Sequence, residues 1–256
     1  MPLPKLATPT YDVVVPSTQQ EIKYRPFLVK EEKLLVIALE SEESKQITNT
    51  IKAVIKGCIL TKGIKVEDLP TFDIEYLFLN IRGKSVGEEV EVNLICPDDG
   101  TTQVPVKINL DDINVIRNEE HDKNIKIDDN LMMEMKYPSL NQFIKSNFDF
   151  TEENQVEQSF ELIGSCIDKI YSEDEVWSTA DVSKKEVNEF LEQMSSIQFK
   201  KIEQFFDTMP KLSHKIEITN PKTKKKSEVV LEGLSSFFGE GWSIWTWRIT
   251  INLISR

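Results

Sequence analysis

The chain has 256 residues, of which 39% are hydrophobic and 29% charged, with 9 glycines and a formal net charge of −12. This length suits one large domain or two small ones, and the composition is that of a packed globular protein and not of a disordered tail. So acidic a surface disfavours nucleic-acid binding by the protein as a whole, and no run of about 18 apolar residues is present to span a membrane.

The N-terminal residues MPLPKLATPTYD contain no apolar signal core. The cysteines Cys58, Cys96 and Cys166 are odd in number and far apart, which fits a reducing compartment better than a disulfide framework. Residues 1–28 hold Pro2, Pro4, Pro9, Pro16 and Pro26. Proline fixes φ and removes a backbone donor, so an extended arm is expected, with a strand at Tyr11–Val15. Such an arm must pack on its own domain or on a neighbour, or else fray.

Residues 29–120 form the next stretch. KEEKLLVIALE at Lys30–Glu40 could be a buried strand or a helix by pattern, and its Leu, Ala, Glu and Lys content favours helix. From Ser44, the spacing of Ile47, Ile51, Val54, Ile55 and Cys58 predicts an amphipathic helix. A third helix is predicted within Asp68–Gly87, capped by Thr71 or Asp73, with Ile74, Leu77, Phe78 and Ile81 as its apolar stripe. The period then changes to two. Val90, Val92 and Leu94 alternate with polar residues, CPDDG makes a turn, and TTQVPVKINL alternates again, which predicts a β-hairpin.

Residues 121–211 read as mainly helical. One strand is expected in Asn124–Met135, then helices over Pro138–Phe148, over Glu152–Tyr171 (Val156, Phe160, Ile163, Ile167, Ile170), and one or two over Ser183–Asp207. The last supplies Val187, Phe190, Leu191, Met194, Ile197, Phe199, Ile202 and Phe205 as core candidates. Residues 212–256 carry a second hairpin, His214–Thr219 with Ser227–Leu231, and a short apolar cap at Leu234–Phe238. The aromatic segment GWSIWTWRITINLIS follows. That segment is either a final buried strand or a docking segment. Trp242, Trp245, Trp247, Ile249 and Ile251 are its candidate partner-binding residues. The expected fold class is α+β, mainly helical, with two hairpins far apart in sequence.

Little in the chain points to catalysis. His121 lies in a polar loop and His214 opens a strand, neither near a nucleophile motif. Asp98–Asp99 fits a turn without further function. Gly83–Ser85 (GKS) lacks the upstream glycine of a P-loop, and Asp128–Met135 lacks the glycine and final Glu of a calcium loop. Lys222, Lys224, Lys225 and Lys226 read as a solvated turn or a contact for an acidic partner. Arg82 and Lys84 suit the negative end of a helix dipole, with Gly87 at the exit. Arg82 is expected to pair with Glu75 in preference to Asp73 and so to fix the helix–hairpin junction.

LPTFDIEYLFLNIRGKSVGE at Leu69–Glu88 resembles a signature of T4-like bacteriophage baseplate proteins, the hub and hub-assembly group. The residues that carry it are Leu69, Pro70, Phe72, Asp73, Glu75, Leu77, Phe78, Ile81, Arg82, Lys84, Ser85 and Gly87. A second stretch, VVLEGLSSFF, matches through Leu231, Glu232, Gly233, Leu234, Phe237 and Phe238. In several relatives the two hairpin turns look like zinc knuckles with paired CxxC turns. Here the first turn keeps only Cys96 and the second, NPKTKK, has no cysteine, so metal-free relics and no bound zinc or other cofactor are expected. The resemblance implies a virion protein of the tail baseplate hub or central spike region, assembled in the host cytoplasm. Its partners would be other tail proteins, with no nucleic acid, membrane or small-molecule substrate. Two alternatives stay open: a hub-assembly chaperone missing from finished particles, and a tail-associated cell-wall hydrolase.

Overall fold

The computed structural model describes residues 6–40, 44–140, 142 and 155–233. Most of the helix expected over Pro138–Phe148, the first residues of that over Glu152–Tyr171, the cap at Leu234–Phe238 and the aromatic segment with Trp242, Trp245, Trp247, Ile249 and Ile251 lie outside the described residues. The chain forms two compact units, one from the described residues of Met1–Ile116 and Lys211–Arg256, the other Arg117–Pro210.

The first unit opens with a small antiparallel hairpin, β1 (Tyr11–Val14) and β2 (Glu21–Tyr24), with Val13 registered on Ile22. Two helices follow, α1 (Val29–Glu40) and α2 (Ser44–Cys58), which pack together. Ile51, Val54, Ile55 and Cys58 are buried, so the apolar spacing marks the core face of α2 as expected. Next come α3 (Thr71–Val86) and the hairpin β3 (Glu89–Ile95) with β4 (Gln103–Asn109). A short strand, β5 (Asn114–Ile116), pairs antiparallel with β10 (Lys211–Thr219), which pairs with β11 (Lys226–Glu232). The arm packs on its own unit. Arg25 N–H donates to Cys58 O at 2.9 Å and Leu60 N–H to Lys23 O at 2.7 Å.

The arm is also locked by a buried ion pair. Arg25 Nη2 lies 2.8 Å from Glu31 Oε1, with side-chain exposures of only 12% and 6%. The same nitrogen donates to Gly57 O, and Leu28 N–H donates to Glu31 Oε2. Burial pushes the Glu31 carboxyl upward, but Arg25, the Leu28 N–H and Lys30 outweigh it, so the net shift is below the usual carboxylate value.

The second unit leaves β5 and returns through β10. Its sheet has the order β6 (Asn124–Lys126), β7 (Met132–Met135), β8 (Ile167–Tyr171), β9 (Val176–Ser178), all antiparallel. Among the described residues three helices of eight or more residues accompany it, α4 (Gln155–Ser165), α5 (Lys184–Glu192) and α6 (Ser196–Thr208). The core is built from Ile125, Ile127, Met133, Met135, Cys166, Ile167, Val187, Leu191, Ile202 and Phe205. The starts of α5 and α6 are each written in a capping box, Ser183 with Glu186 and Ser195 with Gln198. Helices α4 and α5 approach closely at Gly164, where an added Cβ would come within 3.1 Å of Val187 Cγ1.

The mainly helical fold class is overturned. Six helices and eleven strands in four sheets lie among the described residues, about 37% helix and 29% strand, so the fold is α+β without helical dominance. Two misreadings account for most of the difference, and a third concerns the core. Ile167 and Ile170 continue the helical spacing of Phe160 and Ile163, yet α4 stops at Ser165 and Ile167–Tyr171 is a strand between β7 and β9. Asn124–Met135 gives two strands, and the arm gives two, each too short for alternation to register. Ile197, taken for core, is 77% exposed because it falls in the first turn of α6, off the face that carries Ile202 and Phe205. Among the described residues no helix is long and apolar enough to cross a membrane.

Glu31→Ala strands a buried guanidinium and is expected to cost about 3–5 kcal/mol in chemical denaturation. Loss of the exposed Lys23–Asp12 pair (3.6 Å) is expected to cost under about 1 kcal/mol. Because Ile116 and Lys211 are registered partners on adjacent strands, joining them through a short hairpin loop of about two to five residues is expected to leave the first unit folded without Arg117–Pro210. A non-cooperative melt of that shortened chain would count against it.

Candidate functional site

The signature residues converge on α3, which is packed on nearly all sides. Phe72, Ile74, Leu77, Phe78, Leu79 and Ile81 are buried, and so are Asp73 (0% exposed) and Arg82 (4%). No side chain caps the helix, contrary to the cap expected from Thr71 or Asp73. The N-cap position is Pro70, whose carbonyl accepts from Asp73 and Ile74 N–H. Asp73 is instead turned to the arm, accepting from Ser17 N–H at 3.0 Å and from Ser17 Oγ. At the other end, Phe27 N–H donates to Ser85 Oγ at 2.8 Å, Ser85 Oγ donates to Ile81 O, and Phe27 packs its ring on Phe78 with centroids 5.6 Å apart. The arm is thus fastened at both ends of one helix.

Arg82 and Lys84 secure the exit. Arg82 Nη1 donates to Gly87 O at 2.8 Å, tying the guanidinium to the chain that enters β3. Lys84 pairs with Glu88 and, at 3.0 Å, with Asp111 in the 3-10 turn Leu110–Asp112. Gly87 has φ of 128°, a conformation that favours glycine. Leu69 is buried beside Pro70, and Glu75 is half-buried along α3. In the second stretch Leu231 is buried on β11, Glu232 pairs with Lys211, and Gly233 (φ 70°) donates its N–H to Leu212 O. Leu234, Phe237 and Phe238 lie outside the described residues.

The two hairpin tips meet. Each has the same local geometry: Gly100 N–H donates to Cys96 O with Gly100 at φ 65°, and Lys224 N–H donates to Asn220 O with Lys224 at φ 61°. Cys96–Pro97 and Asn220–Pro221 therefore occupy equivalent places. Asn220, 1% exposed, accepts at Oδ1 from Lys222 and Thr223 N–H. Its Nδ2 donates across to Asp98 Oδ1 (3.0 Å), Asp98 Oδ2 (3.2 Å) and Asp99 Oδ2 (3.0 Å). Thr223 Oγ1 also donates to Asp98. Asp99 further accepts from Thr101 N–H, Thr102 N–H and Thr102 Oγ1. Asp98–Asp99 is more than a local turn: it forms half of a clamp between hairpins remote in sequence.

Paired CxxC turns would place zinc ligands at Cys96, Asp99, Asn220 and Thr223. These residues do not fit the metal. Structural zinc takes about four thiolate or imidazole ligands, and only one thiol is present. Burial first, then Asp98 and Asp99, raise the Cys96 thiol away from the thiolate. The Asn220 amide nitrogen is a donor facing two carboxylates already engaged. Among the described residues no three His, Cys, Asp or Glu gather as a metal-ligand set.

Other candidates for chemistry are similarly occupied. His121, expected in a polar loop, is half-buried in the second unit. Its Nδ1 lies 2.9 Å from Thr208 Oγ1 and its Nε2 3.0 Å from Tyr137 Oη, with Phe205 against the ring. Thr208 Oγ1 donates to Gln204 O. It is therefore left to accept from an Nδ1–H tautomer, while Nε2 accepts from Tyr137. His214 sits on β10 opposite Leu231. Burial drives Cys58 up to about 11 and Cys166 up to about 12, which keeps both thiols protonated. Gly83–Ser85 lies inside the last turn of α3, and the lysine turn at Lys222–Lys226 is exposed.

Sequence reading missed Asn220, Thr223, Ser17, Arg25 and Glu31. One signal was legible: an X-Pro step at the same place in both hairpin turns, with Cys in one and Asn in the other.

Asn220→Ala removes charge-assisted bonds to two carboxylates and is expected to cost about 1.5–3 kcal/mol, read by chemical denaturation. Acid offers an independent check. The Thr102 hydroxyl, then the Thr102 and Thr101 N–H groups and Asn220, hold Asp99 well below the usual carboxylate range. Thr223, then Asn220, lower Asp98. The unfolded carboxyls titrate near 3.9, so below that pH the unfolded chain binds more protons. The clamp's contribution is complete above about pH 4 and declines as the pH falls through the folded values. The Asn220→Ala midpoint temperature is expected to fall less steeply with acid than the parent's. Identical slopes would contradict the clamp.

Searches of curated proteins and of solved structures returned no match. One family matched, over residues 8–239, described as T4 bacteriophage base plate protein. The match spans both units, the arm, α3 and both hairpins, and it agrees with the resemblance carried by Leu69–Glu88. The chain belongs to the T4 bacteriophage base plate protein family.

Proposed function

We propose that this chain is a structural component of the baseplate hub, in the central spike region of the tail, that works by binding other tail proteins and performs no reaction. In this reading its partners are polypeptides, not nucleic acid, membrane or small molecules, and it is built into the tail in the host cytoplasm. The observation that carries the reading is how the polar groups are used. Asp73, Arg82, Asp98, Asp99 and Asn220 are committed to internal fastening, and His121 is held between Thr208 and Tyr137. A hydrolase needs a paired acid and base facing a cleft, one with a raised pKa. Asp98 and Asp99 are adjacent, but both are shifted downward and hydrogen-bonded to the second hairpin. Units fastened in this way serve as supports for neighbours.

Density maps of intact tails are expected to find the chain at the tail axis, and mass spectrometry of mature virions to recover it in stoichiometric amount. Recovery from assembly intermediates alone would replace this reading with that of a chaperone. Peptidoglycan turnover by the purified chain, abolished by one acidic substitution, would replace it with that of a hydrolase.

A further inference from the structure

The second unit carries an apolar groove at the margin of its core. On the outer strand β9, Val176 is 67% exposed and Trp177 40% exposed. Trp177 stands beside a groove lined by Leu131, Ile170, Val182, Val187 and Phe190. Among the described residues no strand pairs with the outer edge of β9. Ser172 N–H bonds Glu175 O and Thr179 N–H bonds Asp168 O, so Trp177 takes the bonded position opposite Ile170. Val176, in the alternate position, turns its N–H and C=O away from β8. Acidic side chains flank the strand: Glu173, Asp174 and Glu175 lie exposed in the turn that leads into β9, and Glu186 borders the groove. An open strand edge beside an apolar groove accepts an added strand whose alternate side chains fill the groove.

The sequence contains a segment of matching chemistry. In a chain of net charge −12, residues 242–256 hold no acidic residue and two arginines, Arg248 and Arg256. Trp245, Trp247, Ile249, Ile251 and Leu253 alternate with Thr246, Arg248, Thr250 and Asn252. In an extended conformation all five apolar side chains share one face and the basic and polar ones share the other. The apolar face matches the groove, and the positive charge of the segment is opposite to the charge of the Glu173–Glu175 turn beside β9.

We infer that residues 245–253 of a second copy of this chain add as a strand to the β9 edge, seating their apolar face in the groove beside Trp177. Donor and acceptor surfaces differ, so the contact is head-to-tail and builds rings or open chains of copies.

Sedimentation velocity on the full chain tests this. Concentration-dependent association is expected, weakened by at least about tenfold in Trp177→Glu and in Trp247→Glu, the loss typical of an aromatic anchor. Glu173→Lys with Asp174→Lys, both exposed and remote from the core, is expected to weaken association too, as is added salt. Mixing the two Trp variants is expected to restore pairing, since one keeps its segment and the other its groove. A monomer at every concentration overturns the proposal, as does association indifferent to Trp177 and to the turn charges. Failure of the mixture to pair overturns it as well.

Discussion

A carboxylate and a guanidinium buried on one helix would each cost several kcal/mol if left unsatisfied. The first unit is arranged around meeting that demand in α3. Asp73 takes the Ser17 N–H and hydroxyl, and Arg82 takes the Gly87 carbonyl. Each solution draws in a different part of the chain. The arm is held because Asp73 needs donors, and the entry to the first hairpin is fixed because Arg82 needs an acceptor. Ser85 repeats the device by receiving Phe27 N–H and passing its own proton to Ile81 O. Burial of the helix and capture of its neighbours are one event energetically.

The hairpin tips address a related difficulty with other means. Two small antiparallel ribbons are marginal alone in water, and a shared metal ion is one way to unite such elements. Here a single amide does the joining. Asn220 shapes its own turn through Oδ1 and reaches the other turn through Nδ2. Its partners are carboxylates, so the bonds are charge-assisted and shorter-ranged in their demands on geometry than a tetrahedral ligand set. The thiol of Cys96 is left as a small buried side chain.

Much of this was legible from sequence, and the parts that were not share a cause. The core face of α2 and the alternation of β3 and β4 were readable because each pattern repeats three or more times along one element. The strand Ile167–Tyr171 was not, since Ile163, Ile167 and Ile170 preserve helical spacing across a change of structure. The short strands β1, β2, β6 and β7 have three or four residues each, too few for a period to declare itself. Ser17–Asp73, Arg25–Glu31 and Asn220–Asp99 join residues by tertiary folding, and no local pattern announces such pairs. The resemblance to the family came through α3, which is buried on nearly all sides.

The placement of β5 beside β10 has a consequence for biosynthesis. A ribosome delivers β5 long before β10 exists, and the three-stranded sheet of the first unit has to wait. In that interval the whole of Arg117–Pro210 emerges, with strands that pair among themselves. Once folded, that insert brings its two ends near each other, so the last closure spans a short effective loop and not ninety-odd free residues. The later-made strand then arrives beside a partner already waiting.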